Sequence, residues 1–379
     1  MSKILVLGAG MVGSAMAIDL AVKHNVTVAD IDANSLNKVK EKYSGLEIVE
    51  LDATRKEDLW EKITDFDLIV SAVPGFLGYK TLKYIIEGGK DVVDISFFPE
   101  NALDLNDLAK KHNVTAIVDC GVAPGMGNIL LGYHNEKMKI SNFLCLVGGL
   151  PKIRKWPFEY KAPFSPVDVI EEYTRPARYV ENGKLIVKEA LSDSEFVYFD
   201  GIGTLEAFNS DGLRSLIFTM QDIPNMKEKT LRYPGHIDKI KVLKSSGFFD
   251  KEPVVVNDNL ISPLDYTCKI LFDEWKLKDG EEEFTVMRIV IEGEKYLGEK
   301  IKIIYDLYDS YDKNTGTSSM ARTTGYTATA AANLILEGYF DKKGVFPPEL
   351  VGKYEKCYDY ILNYLKERDV IYNYSERKI

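Results

Sequence analysis

Six residues near the amino terminus, Gly8-Ala9-Gly10-Met11-Val12-Gly13, have the spacing G-x-G-x-x-G, between a short apolar run and a stretch of helical periodicity. In that setting Gly8 permits a tight turn, Gly10 lets a pyrophosphate approach the backbone, and Gly13 lets helix pack on strand. The helix N-terminus that follows offers free N–H groups and the positive end of its dipole to phosphate. Asp30 lies 17 residues after Gly13, at the end of the second apolar run. A carboxylate there accepts hydrogen bonds from ribose hydroxyls and repels a 2′-phosphate, and Ile31 and Asp32 supply no arginine to receive one. NAD is the expected cofactor. Asp32 is an alternative ribose partner, or a helix cap. Asp52 and Ala53 close the third run, where an adenine edge would lie, and Asp52 suits a capping role equally. Ser71-Ala72-Val73-Pro74 closes the fourth run beside the expected nicotinamide ribose, and Asp94, closing the fifth, joins the cofactor-binding set.

These residues need a parallel sheet to hold them. Apolar runs at Lys3–Leu7, 26–29, 47–51, 67–73, 91–95 and 115–118 alternate with helical stretches at 11–24, Lys56–Ile63, 79–87 and 102–112. Thr54 with Glu57 three residues on predicts a capping box for Lys56–Ile63. This rhythm predicts an α/β fold with a doubly wound parallel sheet over residues 1–122. After Gly121 the texture changes, and Pro151, Pro157, Pro163 and Pro166 cluster. Ser165-Pro166 reads as the N-cap and first position of a helix over 167–172. The β-branched runs 285–291 and 300–307, joined through Gly293 and Gly298, predict antiparallel neighbours in an α+β substrate domain, 123–317. In the last part, 318–379, the Ala/Thr-rich stretch 319–338 predicts a helix. Tyr354, Cys357, Tyr358, Ile361, Leu362 and Leu365 make a second helical stripe. These helices are expected to return to the Rossmann half, with a third layer docked on the middle domain as the alternative.

A net charge of −10 argues against nucleic acid or an anionic membrane as partner. The four cysteines, Cys120, Cys145, Cys268 and Cys357, lack the CxxC spacing of thiolate zinc sites and suggest no disulfide framework. No metal is expected. The chain enters a strand within three residues and holds no apolar run of membrane-spanning length. A reducing cytoplasm is the expected setting.

The segment Val118-Asp119-Cys120-Gly121-Val122-Ala123-Pro124-Gly125 resembles the saccharopine dehydrogenase-like family, with its nearest likeness in the lysine 6-dehydrogenase branch. The likeness continues through Gly148-Gly149-Leu150-Pro151, Thr204-Leu205-Glu206-Ala207-Phe208, Thr230-Leu231-Arg232-Tyr233-Pro234-Gly235-His236 and Met320-Ala321-Arg322-Thr323-Thr324-Gly325. Saccharopine reductases of the family are similar around Asp94-Ile95-Ser96-Phe97, but they carry an aspartate where this chain has Ala123. The resemblance implies a Rossmann domain, a central α+β domain and a homodimer formed through the latter.

The reaction it implies is NAD-dependent oxidative deamination of the L-lysine ε-amine. The amine must be neutral to expel hydride, and its free pKa of about 10.4 calls for a base or for desolvation. The α-carboxylate needs a cation, preferably arginine. Arg232 is the expected anchor and Arg322 the second choice. Asp119, ending a Rossmann strand, and His236 are the candidates for proton handling. Ser96 could hydrogen-bond the substrate or cap a helix, and Glu206 is a further substrate-binding carboxylate. Cys120 reads as a small buried residue rather than a nucleophile. A saccharopine- or carboxynorspermidine-type reductase and a non-catalytic NAD-binding protein are the alternatives.

Overall fold

The structure, a computed structural model, describes residues 1–163, 166–278, 280–296 and 298–379. The alternating runs of the first third become β1 (Lys3–Leu7), α1 (Met11–Ala21), β2 (Asn25–Asp30), α2 (Ala33–Lys42), β3 (Glu47–Glu50), α3 (Lys56–Ile63), β4 (Leu68–Ser71), α4 (Gly75–Glu87), β5 (Asp91–Asp94), α5 (Asn106–Lys111) and β6 (Thr115–Ile117). These strands pair in parallel in the order β6-β5-β4-β1-β2-β3. The chain therefore winds outward from β1 to β3 and then crosses to β4, which opens a crevice at the carboxyl ends of β1 and β4. Helices cover both faces, so β1 buries alternate residues on opposite sides. Ile4 and Val6 pack with Met16 and Leu20 of α1, while Leu5 and Leu7 pack with Leu59, Ile63 and Leu82 of α3 and α4.

The expected capping box at Thr54 does not form. The Thr54 N–H and hydroxyl both donate to Asp52 Oδ1, at 2.9 and 2.7 Å, and α3 begins after Arg55 with no side-chain cap. The local Asx turn outcompetes the cap because Asp52 lies two residues before Thr54.

The central part runs through α6 (Met126–Asn135), β7 (Met138–Pro151), α7 (Pro166–Thr174), β8 (Ala177–Glu181), β9 (Lys184–Lys188), β10 (Glu195–Phe199), β11 (Gly203–Asn209), α8 (Leu216–Thr219) and β12 (Asn225–Arg232). It continues as α9 (His236–Ser245), β13 (Val254–Val256), β14 (Asn259–Ile261), α10 (Pro263–Trp275), β15 (Glu283–Lys295) and β16 (Lys300–Ser310). The Ser165 cap expected for α7 lies outside the described residues. β15 and β16 are antiparallel from Phe284–Ser310 to Glu294–Lys300. Gly293, expected in their connection, instead sits inside β15 at a register shift, and the turn falls at Gly298.

The last part is α11 (Ser319–Leu336), β17 (Gly344–Phe346), α12 (Pro348–Gly352), α13 (Glu355–Lys366) and β18 (Tyr372–Lys378). It was expected to be helical, yet β17 extends the Rossmann sheet beside β6, and β18 closes the other sheet beside β16. The central sheet runs β10-β11-β12-β7-β15-β16-β18, with β8 and β9 attached at β12. Within it β12 lies parallel to β7. α11 returns to the Rossmann half, as its small residues permit. A Cβ on Gly325 would come 3.2 Å from Met16 of α1. Asp19 of α1 ties the ends together, accepting from Thr329 Oγ1 (2.5 Å), Tyr364 Oη (2.6 Å) and Arg368 Nε (2.6 Å).

Candidate active site

A cleft of about 980 Å³ runs from the crevice of the Rossmann sheet to the face of the central sheet. At the Rossmann end the three glycines answer different demands. A Cβ on Gly8 (φ +104°) would stand 2.6 Å from the Ala72 carbonyl oxygen, and one on Gly13 would stand 2.0 Å from the Gly8 carbonyl oxygen. Both are required by the protein's own packing. A Cβ on Gly10 would meet no atom of the described residues within 4 Å, and Gly10 lines the cleft at the start of α1. Nothing in the fold demands a glycine there, whereas a pyrophosphate approaching the α1 N-terminus does. The residues present fit a nicotinamide dinucleotide.

Asp30 lines the same end and accepts from the Ala9 N–H (2.6 Å) and the Asp32 N–H (2.8 Å), which fixes its carboxylate at the turn. Asp32 caps α2 instead, accepting from Asn34 and Ser35, and these hydrogen bonds, that from the Ser35 side chain first, hold its carboxyl below the usual range. Met11, Val12, Ile31, Asp52, Ala53, Ala72, Val73 and Pro74 also line the cleft. Ala9, Ser71 and Asp94 do not. Ser71 and Asp94 face each other across the β4–β5 ladder, both fully buried. Burial pushes the Asp94 carboxyl up to about 7. It accepts from the N–H (2.9 Å) and hydroxyl (3.1 Å) of Ser96, so Ser96 reaches the cleft wall in an Asx turn rather than as a helix cap.

The far end is built on β12. Its alternate residues Glu228, Thr230 and Arg232 share one face of the strand, and all three line the cleft. Around them stand three carboxylates, each bound by an arginine. Asp119, at the end of β6 in a left-handed conformation (φ +52°), is held by Arg214 through Nε (3.0 Å) and Nη2 (2.8 Å). Asp211 takes both Nε and Nη2 of Arg178 at 2.8 Å. Glu172 of α7 takes Arg232 Nη2 at 2.7 Å. Glu228 has no arginine among the described residues. Burial first, then the charges of Glu172, Asp211 and Asp119, push its carboxyl up to about 8, against Arg214. A Cβ on Gly212 would overlap the Glu228 carboxyl, so the glycine leaves the room this side chain occupies.

Arg175, just beyond α7, also lines the cleft. Its Nη2 reaches Glu171 at 3.3 Å, its guanidinium lies 4.7 Å from the Phe97 ring centre, and its buried Nη1 has no hydrogen-bond partner among the described residues.

Four sequence candidates take other places. Arg232 reaches the cleft, but Nε donates to Tyr173 Oη, Nη1 to the Leu231 carbonyl, and Nη2 to Tyr160 Oη as well as Glu172. The guanidinium is a fixture of the wall, with little left for a ligand. His236 lies outside the cleft, packed among Phe158, Tyr160, Tyr173 and Trp275. Its Nδ1 is 2.9 Å from the Phe158 carbonyl and its Nε2 3.0 Å from Tyr173 Oη. Burial, then the charge of Arg232, lowers it to about 3, so it stays neutral and structural. Arg322 pairs with Asp309 (3.2 Å) and the Arg368 carbonyl, away from the cleft. Glu206 accepts from the Gly235 N–H (3.1 Å) and shapes the turn that opens α9. Cys120 is buried, its thiol pushed up to about 12 by burial, as a packing residue requires. Glu228, Arg175 and Arg214 were missed. For Glu228 a signal existed, since E-x-T-x-R in a strand places three polar residues on one face.

Fold and cleft together define a two-domain protein of the dinucleotide-binding dehydrogenase type. Its sequence matches the saccharopine dehydrogenase NADP binding domain over residues 4–117 and the saccharopine dehydrogenase C-terminal domain over residues 121–371. The chain belongs to the saccharopine dehydrogenase family. It is 23% identical over 445 residues to the mitochondrial alpha-aminoadipic semialdehyde synthase of Rattus norvegicus, covering 98% of this chain and 47% of that one. The chain thus spans about half the length of that relative. A carboxyaminopropylagmatine dehydrogenase of Synechocystis is 22% identical, with 92% of each chain covered. The apo saccharopine dehydrogenase (L-Glu forming) of Saccharomyces cerevisiae has the same fold, with a TM-score of 0.80 at 22% identity and 100% of both chains covered.

Proposed function

We propose that this protein oxidises the ε-amine of L-lysine with NAD as acceptor, giving the semialdehyde or its cyclic imine, NADH and ammonia. The observation that carries the reading is the charge of the substrate end. Among the described residues seven carboxyl side chains line it (Asp119, Asp168, Glu171, Glu172, Asp211, Glu228 and Asp273), against the three cations Arg175, Arg232 and Lys276. Saccharopine carries three carboxylates, each in need of a cation. Lysine carries one carboxylate and two amines, which suits an acid-rich wall where Arg175 Nη1 and Lys276 are the uncommitted cationic groups among the described residues and one of them anchors the carboxylate. Arg175 is that anchor, taking over the part first given to Arg232. Bound beside Val73 and Pro74, the dinucleotide supplies a two-electron acceptor for the hydride on the ε-carbon. Ser96 and Phe97 close the wall between the two ends.

NAD rather than NADP is proposed because a 2′-phosphate would meet the carboxylate of Asp30, which lines the cleft. The test is NADH absorbance with L-lysine, with NADP in parallel. Turnover with lysine and NAD is expected. Replacing Arg175 with Ala should raise KM for lysine at least about tenfold, the loss of a charge-assisted hydrogen bond, with a smaller effect on kcat. No lysine turnover, but oxidation of saccharopine, would sink the substrate reading. A second reading has its own support, since an acid-rich wall also suits a polycation with one carboxylate, such as the compound that gives the Synechocystis enzyme its name. Turnover of such a secondary amine in place of lysine would select it.

A further inference from the structure

Every carboxylate that faces Glu228 across the end of the cleft already has an arginine. Glu172 comes from α7 with Arg232, Asp211 from the loop after β11 with Arg178, and Asp119 from the end of β6 with Arg214. Glu171 is paired with Arg175. Glu228 itself sits on β12 opposite Cys145 of β7, between cleft-lining neighbours, with its carboxyl laid over Gly212. It is thus a cleft carboxyl with no cation to satisfy it among the described residues, which leaves it free to exchange a proton. His236, the other proton carrier suggested by sequence, is walled off behind Tyr173.

We infer that the Glu228 carboxylate removes the proton from the reacting ammonium group of the substrate; the inference rests on the amine-oxidation reading above. The substrate R–CH2–NH3+ gives one proton to a Glu228 carboxylate oxygen, and its N–H bonding pair stays on nitrogen as a lone pair. One C–H bond then breaks, and its two electrons leave with hydrogen to the oxidised nicotinamide while C=N forms. Water adds to the iminium carbon, ammonium departs, and the Glu228 proton passes to solvent. The carboxylates of Glu172, Asp211 and Asp119 raise the proton affinity of Glu228, Arg214 lowers it, and with burial the group titrates at about 8. The base form therefore appears only as pH rises through that value, the range that suits a general base acting on an amine.

The test is the isosteric substitution Glu228→Gln, with Glu228→Asp beside it. For Glu228→Gln, kcat at alkaline pH should fall at least about 100-fold, and the limb of the kcat/KM profile with a pKa near 8 should vanish. Glu228→Asp should keep that limb at reduced kcat. NADH binding, read by fluorescence, should be retained in both, since the glycine turn and Asp30, which would hold the dinucleotide, are untouched. A kcat for Glu228→Gln within about threefold of wild type, or an unchanged pH profile, overturns the inference. Infrared spectra give a readout independent of substrate: the wild-type minus Glu228→Gln difference should contain a protonated-carboxyl band lost through about pH 8, and its absence overturns the inference. If wild type oxidises a different amine, the lysine assignment falls while the same comparison with that amine still decides the role of Glu228.

Discussion

Among single residues, Gly10 and Gly13 separate function from packing. At Gly13 an added methyl would stand 2.0 Å from backbone oxygen, which cannot move away. Gly13→Ala should therefore lose about 1–3 kcal/mol of stability, measurable by denaturant unfolding. At Gly10 (φ −71°) the added methyl meets open cleft. Gly10→Ala should cost the fold no more than roughly 0.5–1 kcal/mol, the difference between Gly and Ala at an N-cap. It should nevertheless weaken dinucleotide binding about 10–100-fold, because the methyl occupies the path of the pyrophosphate and breaks a charge-assisted hydrogen bond. Equal affinity for NADH in Gly10→Ala and wild type would remove the pyrophosphate from that position. The contrast needs no assumption about substrate.

At the scale of elements, α1, α11 and α13 meet at Asp19, whose carboxylate accepts from two hydroxyls and a guanidinium while its side chain is 9% exposed. Asp19→Ala would leave the half-buried Arg368 with only the exposed Glu367, 3.9 Å away, as its anion. A loss of about 2–4 kcal/mol is expected in equilibrium unfolding, with KM for the substrate unchanged because none of these groups lines the cleft. A loss under about 0.5 kcal/mol would show that the three helices are held by apolar packing alone. This junction also shows which elements sequence can reveal. β1, β2, β4, β5 and β6 were legible because each is a largely buried apolar run bounded by polar turns, β3 because it repeats their spacing, and α11 because its small residues recur over a long stretch. β17 and β18 were not, since β17 has three residues, β18 is almost wholly exposed, and the partner of each, β6 or β16, lies far away in sequence. Thr54 was misread because two capping geometries compete within three residues. The cofactor end of the site is a local motif and was readable, but the substrate end is assembled from α7, β11, β12 and the end of β6. His236 and Arg232 stood out by residue type, yet type alone cannot tell an arginine committed to Tyr173 and Glu172 from one with a free nitrogen. Glu228 is one of 58 acidic residues, and in the sequence only the E-x-T-x-R alternation of its strand marks it.

Over the whole molecule, buried titratable groups set opposite limits on stability. Burial lowers His134 to about 4 and His236 to about 3. The unfolded chain binds these protons more tightly than the native one, so stability present above about pH 6.5 is lost as pH falls towards those values. Burial raises Asp94 to about 7, and Glu228 and Glu283 to about 8. Here the native state binds protons more tightly, so the stabilisation present below about pH 4 is lost as pH rises through 7 to 8. Between about pH 4.5 and 6.5 the two histidines and the three carboxyls oppose each other, and above about pH 6.5 only the carboxyls act, so denaturation midpoints should decline from there to about pH 8. A midpoint that keeps rising to pH 9 would contradict these assignments. The alkaline decline coincides with the range in which Glu228 becomes a base. Turnover should therefore increase with pH while the lifetime of the enzyme shortens, and Glu228→Gln, which removes one of the three carboxyls, should flatten the alkaline limb of stability as it removes the alkaline limb of activity.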